Sequence, residues 1–405
     1  MQQDCTIDES LDTEKITRII GAYEQALKCR TYHHLGYPYN LDYDYKVLKQ
    51  LVDYSINNLG DPFIPSNYGV HSRQFEIAVL KWFAKLWMLG DDQYWGYITS
   101  CGTEGNLHGI LLGREMMGTN CMLVGSRACH YSVWKAGRMY KMPMKQIATL
   151  ENDEIDYTDL RSTLHVLKQS HVKIVMVINV GSTVRGAVDK IELINDAFSA
   201  HGYVPQRDYY IHVDGALFGM MMPFLPSQKP DATYNFSHAS ICSISVSGHK
   251  FIGSPVPCGV IMTRKAHIEV LSQDIEYINS KDATILGSRN GHAPLFLWYA
   301  IAKKGLHGFA ADVATCMENA RYMADKMKCM GVYDVALNEL SSTVVFKKPM
   351  KNEFIQKWQL ACYQNIAHVV VMPNVTREKI DEFIQDYILN MINKEELHGN
   401  GLIPS

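Results

Sequence analysis

Chemistry-bearing side chains in this sequence recur where apolar runs end. In SVSGHKFIG (245–253) a run of small and β-branched residues leads into Ser247, Gly248, His249 and Lys250. Desolvation at a strand end disfavours the charged ammonium and leaves a free amine able to attack a carbonyl, although a lone lysine in this setting is most often a solvated loop residue. YIHVDGALFG (210–219) puts Asp214 after another apolar run. A buried carboxylate is costly unless a cation or donors meet it, so Asp214 either caps a following helix or holds a cationic ligand group. SCGTEGN (100–106) sets Gly102, Thr103 and Glu104 at the start of a helical pattern, where free N–H groups can take a phosphate. The Lys-Ser/Thr pair of a P-loop is missing there. His130, in RACHYSVWKAG (127–137), sits at a strand-to-helix junction where an imidazole can stack on a ring or simply be satisfied structurally. A Gly-Ser-Thr turn at 181–183 adds the hydroxyls of Ser182 and Thr183.

Their order along the chain gives these residues joint meaning. Each follows an inferred strand, and open α/β sheets bind ligands outside the carboxyl ends of their strands. An amine for an aldehyde, a carboxylate for a protonated ring nitrogen, a small Ala216 beside a flat ring and a helix start for a phosphate together suit pyridoxal phosphate.

The elements that must position them are legible as apolar runs at 94–100, 121–125, 173–180, 209–215, 241–247 and 259–263, separated by amphipathic stretches such as 104–117 and 157–169. This alternation predicts a mostly parallel sheet with crossover helices, an α/β fold. Before residue 60 a helical pattern passes into HHLGYPYNLDYDY, which reads as an arm lying over something else. From about residue 306 the pattern turns to helix 308–330, strand 341–348, a helix near 352–362, strand 368–372 and helix 376–393, a small α+β domain with frayed final residues. The expected division is an N-terminal arm over 1–60, a large cofactor-binding domain over 61–305 and a small C-terminal domain over 306–405.

Composition narrows the function classes. Across 405 residues, 39 basic and 42 acidic side chains leave a net charge of −3, with no basic excess for nucleic acid or an anionic membrane. The 47% apolar and 20% charged fractions are those of a folded globular chain. Ten cysteines show no C-x-x-C pair or metal-finger spacing, the N-terminus lacks a signal-like apolar core, and no apolar run approaches a membrane span, which predicts a cytoplasmic protein without a metal site.

The segments GTEGN, SRACHYSVWKAGRMY, INVGSTVRGAVD, YIHVDGALFGMMMPF, SVSGHKFIGSPVPCGV and GSRNGHAPLFLWYA resemble the group II pyridoxal-phosphate amino-acid decarboxylases, in their histidine/serine decarboxylase branch. HLGYPYNLDYDY and SINNLGDPFIPSNYGVHSRQFE (55–76) look closest to plant-type serine decarboxylases. The resemblance implies the fold type I aminotransferase-like architecture and a homodimer with shared active sites. It also implies that Lys250 attaches the cofactor, Asp214 holds the pyridine nitrogen, and Ala216 and His130 sandwich the ring. Gly102, Thr103, Ser247 and His249 would serve the phosphate, with Ser182 and Thr183 standing in the family's Gly-Thr-Thr turn and Ser288 reaching across from the partner subunit. Tyr277, in EYINSKDATILG (276–287), would return a proton to Cα. Tyr68 and His71, in PSNYGVH (65–71), would with His130 meet the substrate.

The expected reaction is decarboxylation of an L-amino acid, L-serine to ethanolamine and CO2 first. L-Histidine to histamine, methionine decarboxylation and aldehyde formation are the same-fold alternatives, and a non-catalytic dimeric scaffold is the alternative of another class. A scaffold has no need of Lys250, Asp214 and His130 together.

Overall fold

The computed structural model describes residues 5, 10–42, 44–225 and 233–391; the final residues expected to fray lie outside these. Helices α1 (Thr13–Tyr32) and α2 (Arg73–Leu86) precede a sheet of β1 (Tyr94–Thr99), β2 (Met122–Ser126), β3 (Met144–Ile147), β4 (Ile174–Asn179), β5 (Tyr209–Asp214), β6 (Ile241–Ser247) and β7 (Gly259–Arg264). Threaded between the strands are α3 (Gly102–Met117), α4 (Tyr131–Met139), α5 (Tyr157–Gln169) and α6 (Ile191–Ala200). The strand order is β1-β7-β6-β5-β4-β2-β3. Only β7 opposes the rest: it pairs antiparallel with β1 and β6, while the β2–β3, β2–β4, β4–β5 and β5–β6 pairs are parallel.

Helices cover both faces, which is why the central strand β4, IVMVIN, reads as a nearly continuous apolar run. One face packs Val175, Val177 and Tyr210 against Ile110 and Leu112 of α3 and Val133 and Ala136 of α4. The opposite face packs Ile174, Met176, Ile178, Ile211 and Val213 with Leu160 and Leu164 of α5 and Ile194 and Phe198 of α6. The sequence does not predict β3, whose residues Met144, Lys145 and Gln146 are exposed at the sheet edge and carry no apolar alternation.

After the large sheet, the hairpin of β8 (Gln273–Ile275) and β9 (Ser280–Asp282) leads to α7 (His292–Cys329). That helix breaks at Gly305, whose φ of 58° and ψ of −174° leave helical space. A second sheet, β10-β11-β13-β12, is antiparallel throughout, formed by β10 (Ala336–Leu337), β11 (Thr343–Lys347), β12 (Ala361–Tyr363) and β13 (Ile366–Val370), with α8 (Asn352–Trp358) and α9 (Arg377–Met391). The N-terminal arm ties this sheet to the lysine turn: Val370 N donates to Leu35 O at 3.1 Å and Asn40 N to Lys250 O at 2.9 Å. Among the described residues no helix is long and apolar enough to cross a membrane.

Candidate active site

The turns that follow β1, β2, β4, β5 and β6 open into one cavity of about 1170 Å³. They bring Gly102, Thr103, His130, Thr183, Asp214, Ala216, Ser247, His249 and Lys250 to its wall, nine of the residues expected from sequence. The arm contributes Tyr37 and Tyr39, and the small sheet contributes Tyr363 and His368.

Each group is held by its own turn. Lys250 follows β6 in a tight reversal in which Gly248 N donates to Cys258 O at 2.9 Å and Ser254 N to Gly248 O at 3.2 Å. Burial lowers the Lys250 pKa from its ordinary value, and the nearby carboxylate of Asp214 and thiol of Cys101 only partly oppose this. Asp214 closes β5, 6% exposed. Its Oδ2 accepts from Asn106 Nδ2 at 2.7 Å and its Oδ1 from Ala216 N at 3.1 Å. His130 is the N-cap of α4, where its Nδ1 accepts from Ser132 N at 3.3 Å and lies 2.8 Å from Ser132 Oγ. That bond leaves the ring proton of the neutral form on Nε2, and burial lowers the His130 pKa against the pull of Asp214. His249 is likewise depressed by burial, with its Nδ1 2.8 Å from Cys258 O.

The helix start of α3 lies against the end of β6 so closely that a Cβ on Gly102 would stand 2.6 Å from Ser247 Oγ and 3.1 Å from Ala216 Cβ. Only glycine leaves this cradle of N–H groups and a hydroxyl open. The donor set therefore fits pyridoxal phosphate: an α3 start with Ser247 for the phosphate, Asp214 for the ring nitrogen, Ala216 and His130 for the ring and Lys250 for the aldehyde.

The remaining expected residues lie elsewhere. Ser182 is buried beneath the cavity turn, where its Oγ accepts from Ala187 N at 3.0 Å. Tyr277 lies between β8 and β9 and is 83% exposed. Ser288 Oγ accepts from Asn57 Nδ2 at 3.1 Å, and His71 Nδ1 accepts from Arg73 N at 3.3 Å. Tyr277, Ser288, Tyr68 and His71 do not line this chain's cavity. Their segments are joined to one another, through Asn67 N to Ile278 O at 3.0 Å and Arg289 N to Asn57 Oδ1 at 3.0 Å.

Sequence reasoning passed over Asn106 and the arm tyrosines. Asn106 had a readable signal, since in GTEGN it falls one turn into the helix that begins at the phosphate cradle. The strands carried another. On fully buried β5 and β6 every second residue is polar: His212 and Asp214, then Ser243, Ser245 and Ser247. All five belong to the face covered by α3.

The chain is similar to known proteins over most of its length. The pyridoxal-dependent decarboxylase conserved domain matches residues 12–348. Serine decarboxylase 1 of Oryza sativa subsp. japonica is 54% identical over 368 residues, 91% of this chain and 74% of the relative. Histidine decarboxylase of Solanum lycopersicum is 46% identical over 374 residues, 92% of this chain and 88% of the relative. L-Methionine decarboxylase from Streptomyces sp.590, solved with L-methionine methyl ester, superposes with a TM-score of 0.87 at 25% identity, covering 94% of this chain and 95% of that one.

Proposed function

The chain belongs to the pyridoxal-dependent decarboxylase family and is a carboxy-lyase that uses pyridoxal phosphate, and we propose that its substrate is L-serine, released as ethanolamine and CO2. The observation that carries the chemistry is the convergence of Lys250 and Asp214 on one cavity beside the α3 start. The serine assignment is supported by 54% identity to a rice serine decarboxylase over 91% of the chain, against 46% for the tomato histidine decarboxylase.

When bound, pyridoxal phosphate supplies a ring into which the electrons of the Cα–carboxylate bond pass as that bond breaks. Lys250 supplies the amine that attaches it, and its depressed pKa keeps more of that amine free to react. Asp214, with both oxygens already directed by N–H donors, keeps a proton at the ring nitrogen. Ala216 and His130 flank the ring, and Gly102, Thr103, Ser247 and His249 receive the phosphate, with Ser182 shaping the turn that presents Thr183.

Tyr277 and Ser288 act from a second copy of the chain in a homodimer. Support comes from their exposure and from their separation from this chain's cavity, on a patch shared with Tyr68 and His71. Tyr277 returns the proton to Cα. The unit over 61–305 carries the cofactor, and the unit over 306–405 adds Tyr363 and His368 to the cavity wall. A reduced, cytoplasmic setting suits its ten cysteines, which show no C-x-x-C pair.

Competition between serine, histidine, methionine and alanine decides the substrate. Serine should give the highest kcat/KM, and alanine should be rejected strongly, since a pocket that bonds a hydroxyl leaves polar groups unpaired without it. A higher kcat/KM for histidine than for serine would replace the assignment with histidine decarboxylation.

A further inference from the structure

We propose that Asn106 is a positioning residue that joins the carboxylate facing the ring nitrogen to the imidazole flanking the ring, and that a one-way chain of hydrogen-bond donors from Tyr210 through Ser243 and His212 fixes its amide. The inference rests on the cofactor placement proposed above and extends it from Asn106, at the cavity wall, to Tyr210, Ser243 and His212, which do not line it.

The direction of every bond follows from Asp214. A carboxylate only accepts, so the atom of Asn106 that meets Asp214 Oδ2 at 2.7 Å must be the amide nitrogen. The second hydrogen of that nitrogen goes to Ser132 Oγ at 3.0 Å, and Ser132 Oγ is in turn 2.8 Å from His130 Nδ1. One amide group thus serves both sides of the proposed ring site. The carbonyl oxygen of Asn106 then points the other way, where it accepts from His212 Nε2 at 3.0 Å and from Ser245 Oγ at 2.9 Å. With its proton on Nε2, His212 must accept at Nδ1, and Ser243 Oγ donates there at 2.7 Å. Ser243 Oγ in turn accepts from Tyr210 OH at 2.7 Å.

Every member of the chain is buried, so none can exchange its partner for water. Burial lowers the His212 pKa to about 4, which keeps the ring neutral with one donor and one acceptor. Gly109 of α3 lies directly on that ring: a Cβ there would come 2.3 Å from His212 Nδ1. The helix and the strand are therefore locked in one relative position, and Asn106 sits at the lock.

Equilibrium titration of the cofactor-free protein with pyridoxal phosphate, followed by absorbance, tests the proposal. Asn106→Leu should weaken binding by about tenfold or more, because a buried charge loses a donor. His212→Phe removes the donor to Asn106 and should weaken it by about threefold to tenfold. His212→Gln keeps an N–H near the Nε2 position and should recover most of the affinity, whereas a merely space-filling ring would be replaced better by Phe. In the variants that bind, kcat for serine should fall with KM within about twofold, since Asp214 acts on the reacting system rather than on substrate capture. Wild-type affinity in Asn106→Leu, or equal defects in the two His212 variants, would overturn the inference while leaving the cofactor assignment intact. Should Asn106→Leu fail to fold, the His212 pair decides. A wild-type protein that takes up no pyridoxal phosphate would overturn the cofactor placement and this inference with it.

Discussion

Gly109→Ala offers a sharp test of how α3 is seated, because the structure gives the collision in ångströms. The added methyl would stand 2.3 Å from His212 Nδ1, 2.5 Å from Cε1 and 2.9 Å from Cγ. Ordinary carbon contacts lie at about 3.5–4.0 Å, so helix and ring must separate by roughly 1 Å. The ring cannot swing away, since Ser243 and Asn106 hold its two nitrogens at 2.7 and 3.0 Å. Overpacking of this kind costs about 3 kcal/mol at the upper end of its usual range, and replacing a helical glycine by alanine recovers about 1 kcal/mol. The net loss is roughly 2 kcal/mol. With a melting entropy of about 2.1 cal/mol/K per residue over 405 residues, that lowers Tm by about 2–3 °C. A lifted α3 also carries Asn106 away from Asp214, so affinity for pyridoxal phosphate should fall in the same variant. Gly102→Ala supplies the contrast: its methyl meets Ser247 Oγ at 2.6 Å, a hydroxyl that can rotate, so its effect should fall on cofactor binding and barely on Tm. Calorimetry and cofactor titration on both variants check the pair. A Gly109→Ala protein with wild-type Tm and wild-type affinity would refute the claim that the glycine contact seats the helix.

Lys250→Ala should fold normally, bind pyridoxal phosphate only noncovalently and lose turnover; borohydride should then fix no cofactor, and turnover near the wild-type rate would remove Lys250 from its role. Tyr277→Phe, at a position 83% exposed, should leave Tm and cofactor affinity unchanged while lowering kcat by about 10² or more, and an unchanged kcat would assign proton return to another group. Acid should destabilise the fold between about pH 6.5 and pH 4. Burial holds His108 and His212 at about 4 in the native state, so in this window the unfolded chain binds more protons and stability falls as pH falls, by roughly 3 kcal/mol for each histidine. His267 and His368 act with the same sign, whereas Asp189, raised by burial to about 6, gains stability on acidification and offsets part of the loss. Urea midpoints that stay flat or rise as pH drops through the window would contradict the balance.

Much of the large sheet was legible because its strands are buried on both faces. The runs at 209–215 and 241–247 correspond to Tyr209–Asp214 and Ile241–Ser247 within a residue, and the stretch 157–169 is the helix Tyr157–Gln169. An exposed edge strand such as Met144–Ile147 buries too little to leave such a pattern. The helix expected over 308–330 is only the second part of α7, because its first part lies before Gly305 in a segment whose apolar residues carry no clear period. For the site, residues that follow strands could be ordered along the chain and were brought together by topology. Tyr68, His71, Tyr277 and Ser288 come from irregular or short segments, where sequence order says nothing about which cavity they approach.

What was legible but unread lies in the polar periodicity. A fully buried strand has no solvent face, so alternate polar residues on it must be satisfied by another buried element. YIHVD and SISVS carry that alternation openly, and GTEGNLHGILLG supplies the other half, with glycines at 102, 105, 109 and 113. Cβ atoms at those four positions would meet Ser247, Ser245, His212 and Tyr210 at 2.6, 2.7, 2.3 and 2.8 Å. The spacing of three and four places the glycines on one helix face, and each opposes a polar residue of the two strands. Close approach is what lets Asn106, on the same helix, reach Asp214 and His212 at once. Glycine stripe and polar strand face are thus two halves of one device: the first removes side chains so that the second can be satisfied, and Asp214, the carboxylate proposed to face the ring nitrogen, stands at the end of β5.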